Sequence, residues 1–291
     1  MNSTKNLSRR QFIGVTGAAL LSTAWLGAPR LFAEEKTEAI KASIEKYSGF
    51  KMGIQSYSLR HFNVSDTIKH TADLGLHWIE FYPGQFGITQ DMDRINEVKD
   101  QLKPHDMRLS VHGVNGFGGN EQNNRNIFEF AKLAGIPLIS CDPHPDSYPI
   151  LHDLVQEYDI KVGIHNHGPG HRYDRITDSL EAVEPWDKRF GFCPDTGHYM
   201  RSGEDPVEMV HLLKDRLYGM HLKDHDGIHR DGPPETILGE GVLDLEAFCT
   251  ALREVGFDEP ISLEYELNPR DPIDDIRRGL DNFANAAKAT A

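Results

Sequence analysis

The chain has only three cysteines, Cys141, Cys193 and Cys249. Their spacing fits no zinc motif and an odd count is no disulfide framework. Neither a structural zinc module nor a disulfide-stapled scaffold is therefore expected, and the three read as small buried apolar residues. Basic charge is also short. Lys and Arg total 31 against 45 Asp and Glu, for a formal net charge of −14. A surface of that sign repels nucleic acid phosphates and anionic membranes and favours a neutral or metal-assisted ligand over a polyanion. No G-x-G-x-x-G follows an early strand; Gly116-Phe117-Gly118-Gly119 lacks the spacing. That absence removes the open dinucleotide-binding sheet. There is no low-complexity tract, and after residue 50 no linker that would divide the chain.

The beginning of the chain reads differently from the rest. Ser8-Arg9-Arg10-Gln11-Phe12-Ile13 is a twin-arginine pattern, followed by an apolar Gly/Ala-rich run from Gly14 to Leu26 and a small-residue site at Leu31-Phe32-Ala33. The run is short for a membrane span, so residues 1–33 are expected to be a Tat-type export signal. The expected location is the periplasm, or a membrane tether if the signal is not cleaved. Its removal takes away Lys5, Arg9, Arg10 and Arg30 and no acid, moving the charge from −14 to −18. Residues 34–50 read as a linker or short leading helix, and residues 51–291 as one domain large enough to bury a sizeable core.

In that domain strand and helix patterns alternate. Strands are expected at 51–57, 78–82, 108–112, 136–141, 161–165, 190–193, 217–222 and 260–266, each followed by a helical stretch; the third helix closes at Gly135 as a C-cap. Eight such units in about 240 residues have the size of a closed (β/α)8 TIM barrel. Active-site residues of barrels sit at the C-terminal strand tips. Four successive tips here end in Ile164-His165-Asn166-His167, Pro194-Asp195-Thr196-Gly197-His198, His221-Leu222-Lys223-Asp224 and Glu264-Tyr265-Glu266. His, Asp, His and Glu form an N/O ligand set suited to a divalent metal. Alternation along the strands puts Gly163, His165 and His167 on one face, Ser262, Glu264 and Glu266 on another, and Glu80 with Trp78 and Tyr82; His112 ends the third strand. Gly197 reads as a sharp turn. Trp78, Trp186, Phe86 and Phe117 are candidates for an apolar wall or for core. His144, His171, His225 and His229 read as solvated loop residues. The polar stretch from Lys223 to Gly241 is expected to cover the mouth.

These tips resemble the xylose isomerase-like barrels, a family of sugar isomerases, ketose 3-epimerases, inosose dehydratases and relatives. The resemblance rests on Glu80, on Asp195-Thr196-Gly197-His198, on His221-Leu222-Lys223-Asp224 and on Glu264, and runs over about residues 51–288. It implies a divalent metal, manganese first, with cobalt, magnesium or zinc as alternatives, held by His165, Asp195, His221 and Glu264. The chain departs from the ketose 3-epimerases at His165, which stands where they carry a Glu. The expected ligand set then holds two negative charges rather than three, leaving a bound ion a stronger Lewis acid, and the opposed pair of glutamates that exchanges a proton on both faces of one carbon is broken. One-sided proton abstraction followed by loss of a β-leaving group is the expected chemistry, on a keto-sugar or keto-cyclitol.

In that scheme Glu264 is the first base candidate, with Glu80, His112 and His167 next, and Lys223 or His198 protonates the leaving oxygen. The expected partners are a small carbohydrate substrate, no nucleic acid and no stable membrane insertion after processing, with a homo-oligomer left open. The rivals are a ketose-type 3-epimerase, a non-catalytic sugar-binding barrel, and a DNA-repair endonuclease of the same barrel type, which acidity and export disfavour.

Overall fold

A computed structural model describes residues 37–291. The expected export signal lies outside the described residues. Among them, no helix is long and apolar enough to cross a membrane.

The described chain opens with α1 (Glu38–Lys46), N-capped by Thr37, so the stretch before the first strand is a leading helix. Eight strands follow in one parallel sheet: β1 (Lys51–Gln55), β2 (Trp78–Phe81), β3 (Arg108–Phe117), β4 (Leu138–Pro143), β5 (Lys161–Ile164), β6 (Phe190–Phe192), β7 (Met220–Leu222) and, after a two-stranded hairpin of β8 (Asp224–His225) and β9 (Glu235–Thr236), β10 (Pro260–Leu263). The order is β6-β5-β4-β3-β2-β1-β10-β7. Parallel bridges Phe192–Leu217 and Asp195–His221 join its two ends, so the sheet closes on itself as a barrel. Helices α2 (Val64–Asp73), α3 (Met92–Leu102), α4 (Glu121–Ala134), α5 (Tyr148–Tyr158), α6 (Ile176–Val183), α8 (Pro206–Leu213), α9 (Leu245–Glu254) and α10 (Ile273–Ala289) link or follow the strands, and a short α7 (Thr196–Arg201) starts directly at the tip of β6.

Strand alternation builds two compartments. Met52, Ile54, Ile79, Phe81, Ile139, Val162, Ile164, Phe190, Phe192, Met220, Leu222, Ile261 and Leu263 point outward into the core against the helices. The barrel interior is narrow. A Cβ on Gly53 would meet the Trp78 carbonyl oxygen at 2.5 Å, and one on Gly163 would meet Cys193 at 2.8 Å, so strands approach there only because glycine has no side chain. Val111, Leu138 and Cys193 fill the space below. Above them Glu80, from β2, accepts hydrogen bonds from Ser140 of β4 and Ser262 of β10. This layer of side chains from alternate strands is the floor on which the mouth is built.

Candidate metal centre and cavity at the barrel mouth

The strand tips are stitched together by two polar side chains whose roles the sequence does not announce. Asn166 accepts from the Asp195 N–H at 2.8 Å and donates to the Asp195 carbonyl at 3.1 Å. Thr196 Oγ1 accepts from the Lys223 N–H at 2.9 Å and donates to the Lys223 carbonyl at 2.8 Å. The tips of β5, β6 and β7 thereby hold one another, and His165, Asp195, His221 and Lys223 are placed by backbone rather than by flexible loops. Asp195 is also the N-cap of α7; its Oδ1 accepts from His198 N at 2.8 Å. Gly197 sits inside this short helix with no left-handed backbone. It is needed for close approach instead of a turn, since a Cβ there would meet His225 Nε2 at 2.7 Å and Lys223 Cβ at 2.8 Å.

His165, Asp195 and His221 are buried, and one ligand atom from each lies within 4.8 Å of the others. Two buried atoms of this group make no hydrogen bond: His165 Nδ1, and Asp195 Oδ2, which has the Lys223 ammonium beside it at 3.2 Å. Leaving such atoms without hydrogen bonds costs free energy, and an imidazole nitrogen and a carboxylate oxygen can each donate a lone pair to a cation. The residues present therefore fit a divalent ion. Glu264 Oε2 stands 3.0 Å from His221 Nδ1 and 3.1 Å from Lys223 Nζ, beside the group of three but not within its 4.8 Å cluster.

His221 lies between carboxylates. Its Nδ1 faces Glu264, and Asp195 Oδ2 at 3.9 Å, while its Nε2 is 3.0 Å from Glu80 Oε2, off the line of a good hydrogen bond. Burial pushes the imidazolium down, but Glu80 and Glu264 outweigh it and hold His221 well above its ordinary range. Burial raises Asp195, yet Lys223, then His198, His165 and His221 pull it well below the usual carboxylate range. Glu264, also raised by burial, is drawn to about 2 by Lys223 and His221. Lys223 itself, 3.2 Å from Asp195 Oδ2 and paired with Glu264 and Glu266, is kept a firm ammonium by those three acids against the opposing effect of burial. Burial, with His221 as the next cause, keeps His165 neutral, and burial lowers His198 to about 3 and also lowers His167.

Beside this group opens a cavity of about 390 Å³, lined on one side by His165, His167, His198, Lys223, Glu264 and Glu266 and on the other by Gln55, Tyr57, Tyr82, Pro83, Gly113 and Val114. Tyr57 and Tyr82 stand edge to face, with centroids 5.2 Å apart. They form the apolar wall expected from Trp78, Trp186, Phe86 and Phe117. Trp78, Phe86 and Phe117 are instead buried, and Trp186 packs on Tyr148 and His152.

Two expected catalytic residues do not reach the cavity. His112 is opposite Phe81 and Ile139, both outward-facing. A register shift after Ile79 puts Val111 beside Glu80 and turns His112 into the helix layer. There its Nε2 is 2.8 Å from the Phe86 carbonyl, its ring packs on Phe86 and Phe130, and burial lowers it to about 4. Glu80 faces inward as expected but lies beneath the mouth, fully buried, with both oxygens taken by serines. Its contact is with His221, so it acts on the centre through that ring. His225 is buried in β8 with Nδ1 2.7 Å from the Pro233 carbonyl, contrary to the solvated loop position expected of it. Asp224 accepts from the N–H groups of His225, Gly239, Gly241 and Leu243; it anchors the loop after β7.

Residues 146–286 match the family model described as xylose isomerase-like TIM barrel. The described domain is thus a (β/α)8 TIM barrel whose second half matches the xylose isomerase-like family model. An inosose dehydratase of Lacticaseibacillus casei is 30% identical over 134 residues, covering 41% of this chain and 45% of that protein. The match thus spans less than half the length of that relative. Among solved structures, the fold is similar to a 3-keto-D-glucoside 4-epimerase from E. coli (TM-score 0.66, 17% identity, 81% of this chain and 99% of that one). It is also similar to an IOLI protein with a binding zinc atom (TM-score 0.63, 17% identity, 83% and 96%).

Proposed function

We propose that the chain is a divalent-metal-dependent enzyme acting next to the carbonyl of a keto-sugar or keto-cyclitol, by removal of the α-proton and loss of a β-hydroxyl or β-alkoxyl group. The observation that carries this reading is the meeting of buried His165, Asp195 and His221 ligand atoms beside a sugar-sized cavity. The inosose dehydratase likeness supports it. His165, Asp195, His221 and Glu264 would hold the ion, which when bound supplies Lewis-acid polarisation of the carbonyl and its neighbouring hydroxyl.

The protein's own groups then divide the work. Glu264, drawn low by Lys223 and His221, is a weak base. His167 is neutral, half-buried and on the cavity wall, with Asp142 3.7 Å behind its Nδ1; it takes the α-proton in this scheme, and the C–H electron pair passes to the carbonyl oxygen. The pair returns as the β C–O bond breaks, and the departing oxygen takes up the proton that His167 removed, leaving an enone and water or an alcohol. Lys223 stays an ammonium beside the developing negative oxygen, and His198 faces the departing one. Among the described residues, the carboxylates lining the cavity are Glu264 and Glu266, both from the tip of β10 and both paired with Lys223, and the lack of one from another strand favours elimination over two-base epimerisation. The fold likeness to a 4-epimerase keeps epimerisation as the alternative. The export signal expected at residues 1–33 belongs to this proposal, as does a substrate that arrives from outside the cell. His167→Asn tests the scheme: it is expected to retain full metal content and lose at least ~100-fold in turnover, the scale of a missing general base. Unchanged turnover would remove His167 from this role.

A further inference from the structure

Three histidines at the mouth form a second, all-imidazole grouping. His165, His167 and His198 bring ring nitrogens within 4.8 Å of one another. Their ring centroids are 4.9, 5.7 and 5.4 Å apart, a spacing compatible with three imidazoles around one zinc at bonds of about 2.0–2.1 Å. One contact argues against that use. Arg201 Nη1 is 3.3 Å from His198 Nδ1. A guanidinium has donors only, so Nδ1 accepts; a neutral imidazole with an accepting Nδ1 carries its proton on Nε2. His198 then has no free lone pair for an ion, since Nδ1 is taken by Arg201 and Nε2 carries the hydrogen.

The placement of Arg201 is built into the fold. α7 sets His198 and Arg201 three residues apart, on one face of the helix. The α7 start is pinned by the Asp195 cap. The Arg201 guanidinium packs over Gly168, where an added Cβ would come within 3.2 Å of Cζ and 3.4 Å of Nη2. Nearby Arg175 and Arg230 pair with Glu204 and Asp174, while the contact that Arg201 makes is with the imidazole.

We infer that Arg201 is a positioning residue that holds His198 as its Nε2–H tautomer, so that His198 presents a hydrogen-bond donor to a substrate oxygen in the cavity and stays out of the metal shell. The His165–Asp195–His221 group is then the one occupied, and His167 and His198 stay out of the metal shell. This deepens the proposed function and rests on it only for the substrate oxygen; tautomer and metal count are both read without substrate.

The test uses long-range proton–nitrogen correlation spectra of the ¹⁵N-labelled protein, with His198→Asn to assign the ring, alongside zinc titration to saturation. Wild type is expected to show the Nε2–H pattern at His198 and to bind one zinc per chain. Arg201→Lys, which keeps a donor, should behave as wild type. Arg201→Met should show mixed tautomers and His198 nitrogens that shift on zinc addition. An Nδ1–H pattern in wild type, or His198 nitrogens that shift on zinc addition in wild type, would overturn the inference. If Arg201→Met does not fold, the wild-type and Arg201→Lys spectra decide alone. Absence of turnover on keto-sugars would sink the proposed function and leave the tautomer result standing.

Discussion

At the scale of single residues, some groups line the cavity and others act on it through a neighbour. Glu80 is the clearest of the second kind. It touches His221 Nε2 from below, while His221 Nδ1 faces Asp195 and Glu264. A carboxylate behind a ligating imidazole fixes its ring and raises its basicity. Glu80→Gln keeps the shape and the contact with the serines but loses the charge. It is expected to weaken metal binding by about 10–100-fold in a competition titration with a chelating dye; unaltered affinity would reduce Glu80 to packing. His112 contributes to stability instead. Its folded pKa of about 4 lies below the ordinary value of about 6.5, so between those values the unfolded chain binds the extra proton. The stabilisation is complete above about pH 6.5 and is lost as pH falls toward 4, by about 3 kcal/mol in all. His165 and His198 are lowered too and act in the same direction. His112→Gln can still donate to the Phe86 carbonyl, so its deficit against wild type in denaturant unfolding should shrink between pH 7 and pH 5. A deficit independent of pH would contradict the burial of a neutral ring.

At the scale of elements, the barrel was legible because its signals are periodic. Outward Val162 and Ile164 against inward Gly163 and His165 is a pattern the pleat enforces, and the structure repeats it at Leu263 and Glu264. The tips bearing His165, Asp195, His221 and Glu264 were found for the same reason, and they meet. What the pattern could not carry is register across strands. The shift between β2 and β3 turns His112 outward, and nothing local to Arg108–His112 marks it. The extra helix α7 was hidden because Asp-Thr-Gly-His reads as a turn, whereas Asp195 caps a helix there. The clamps made by Asn166 and Thr196 depend on partners 29 and 27 residues away, a distance at which sequence spacing says nothing about contact. The hairpin β8–β9 carries no strand pattern in the polar stretch from Lys223 to Gly241; its order comes from Asp224 gathering the N–H groups of the segment that returns. Gly197 ties these parts together, since α7, Lys223 and His225 meet at its missing side chain. Gly197→Ala should cost about 1–3 kcal/mol by overpacking in thermal unfolding, with the loss of order concentrated in β8–β9 by hydrogen exchange. A neutral substitution would mean that the hairpin is not held against α7.

At the scale of the whole molecule, the polar chemistry is confined to one end of a barrel whose interior is otherwise closed by glycines and small apolar side chains. The acidic net charge makes the cavity's own cations, Lys223 above all, internal counter-ions for ligand carboxylates rather than a landing surface for a polyanion. The central claim is therefore that metal and cavity act together on one carbon next to a carbonyl. The most direct measurement is deuterium incorporation and product analysis in D₂O, with manganese-loaded protein and a panel of inososes, 3-keto-glycosides and plain ketoses, run in parallel with Asp195→Asn. The account predicts metal-dependent exchange of one α-hydrogen with release of water or aglycone and an enone product, and neither exchange nor release in Asp195→Asn. Product formation that persists in metal-free protein, or a deuterated epimer with no elimination, would contradict it.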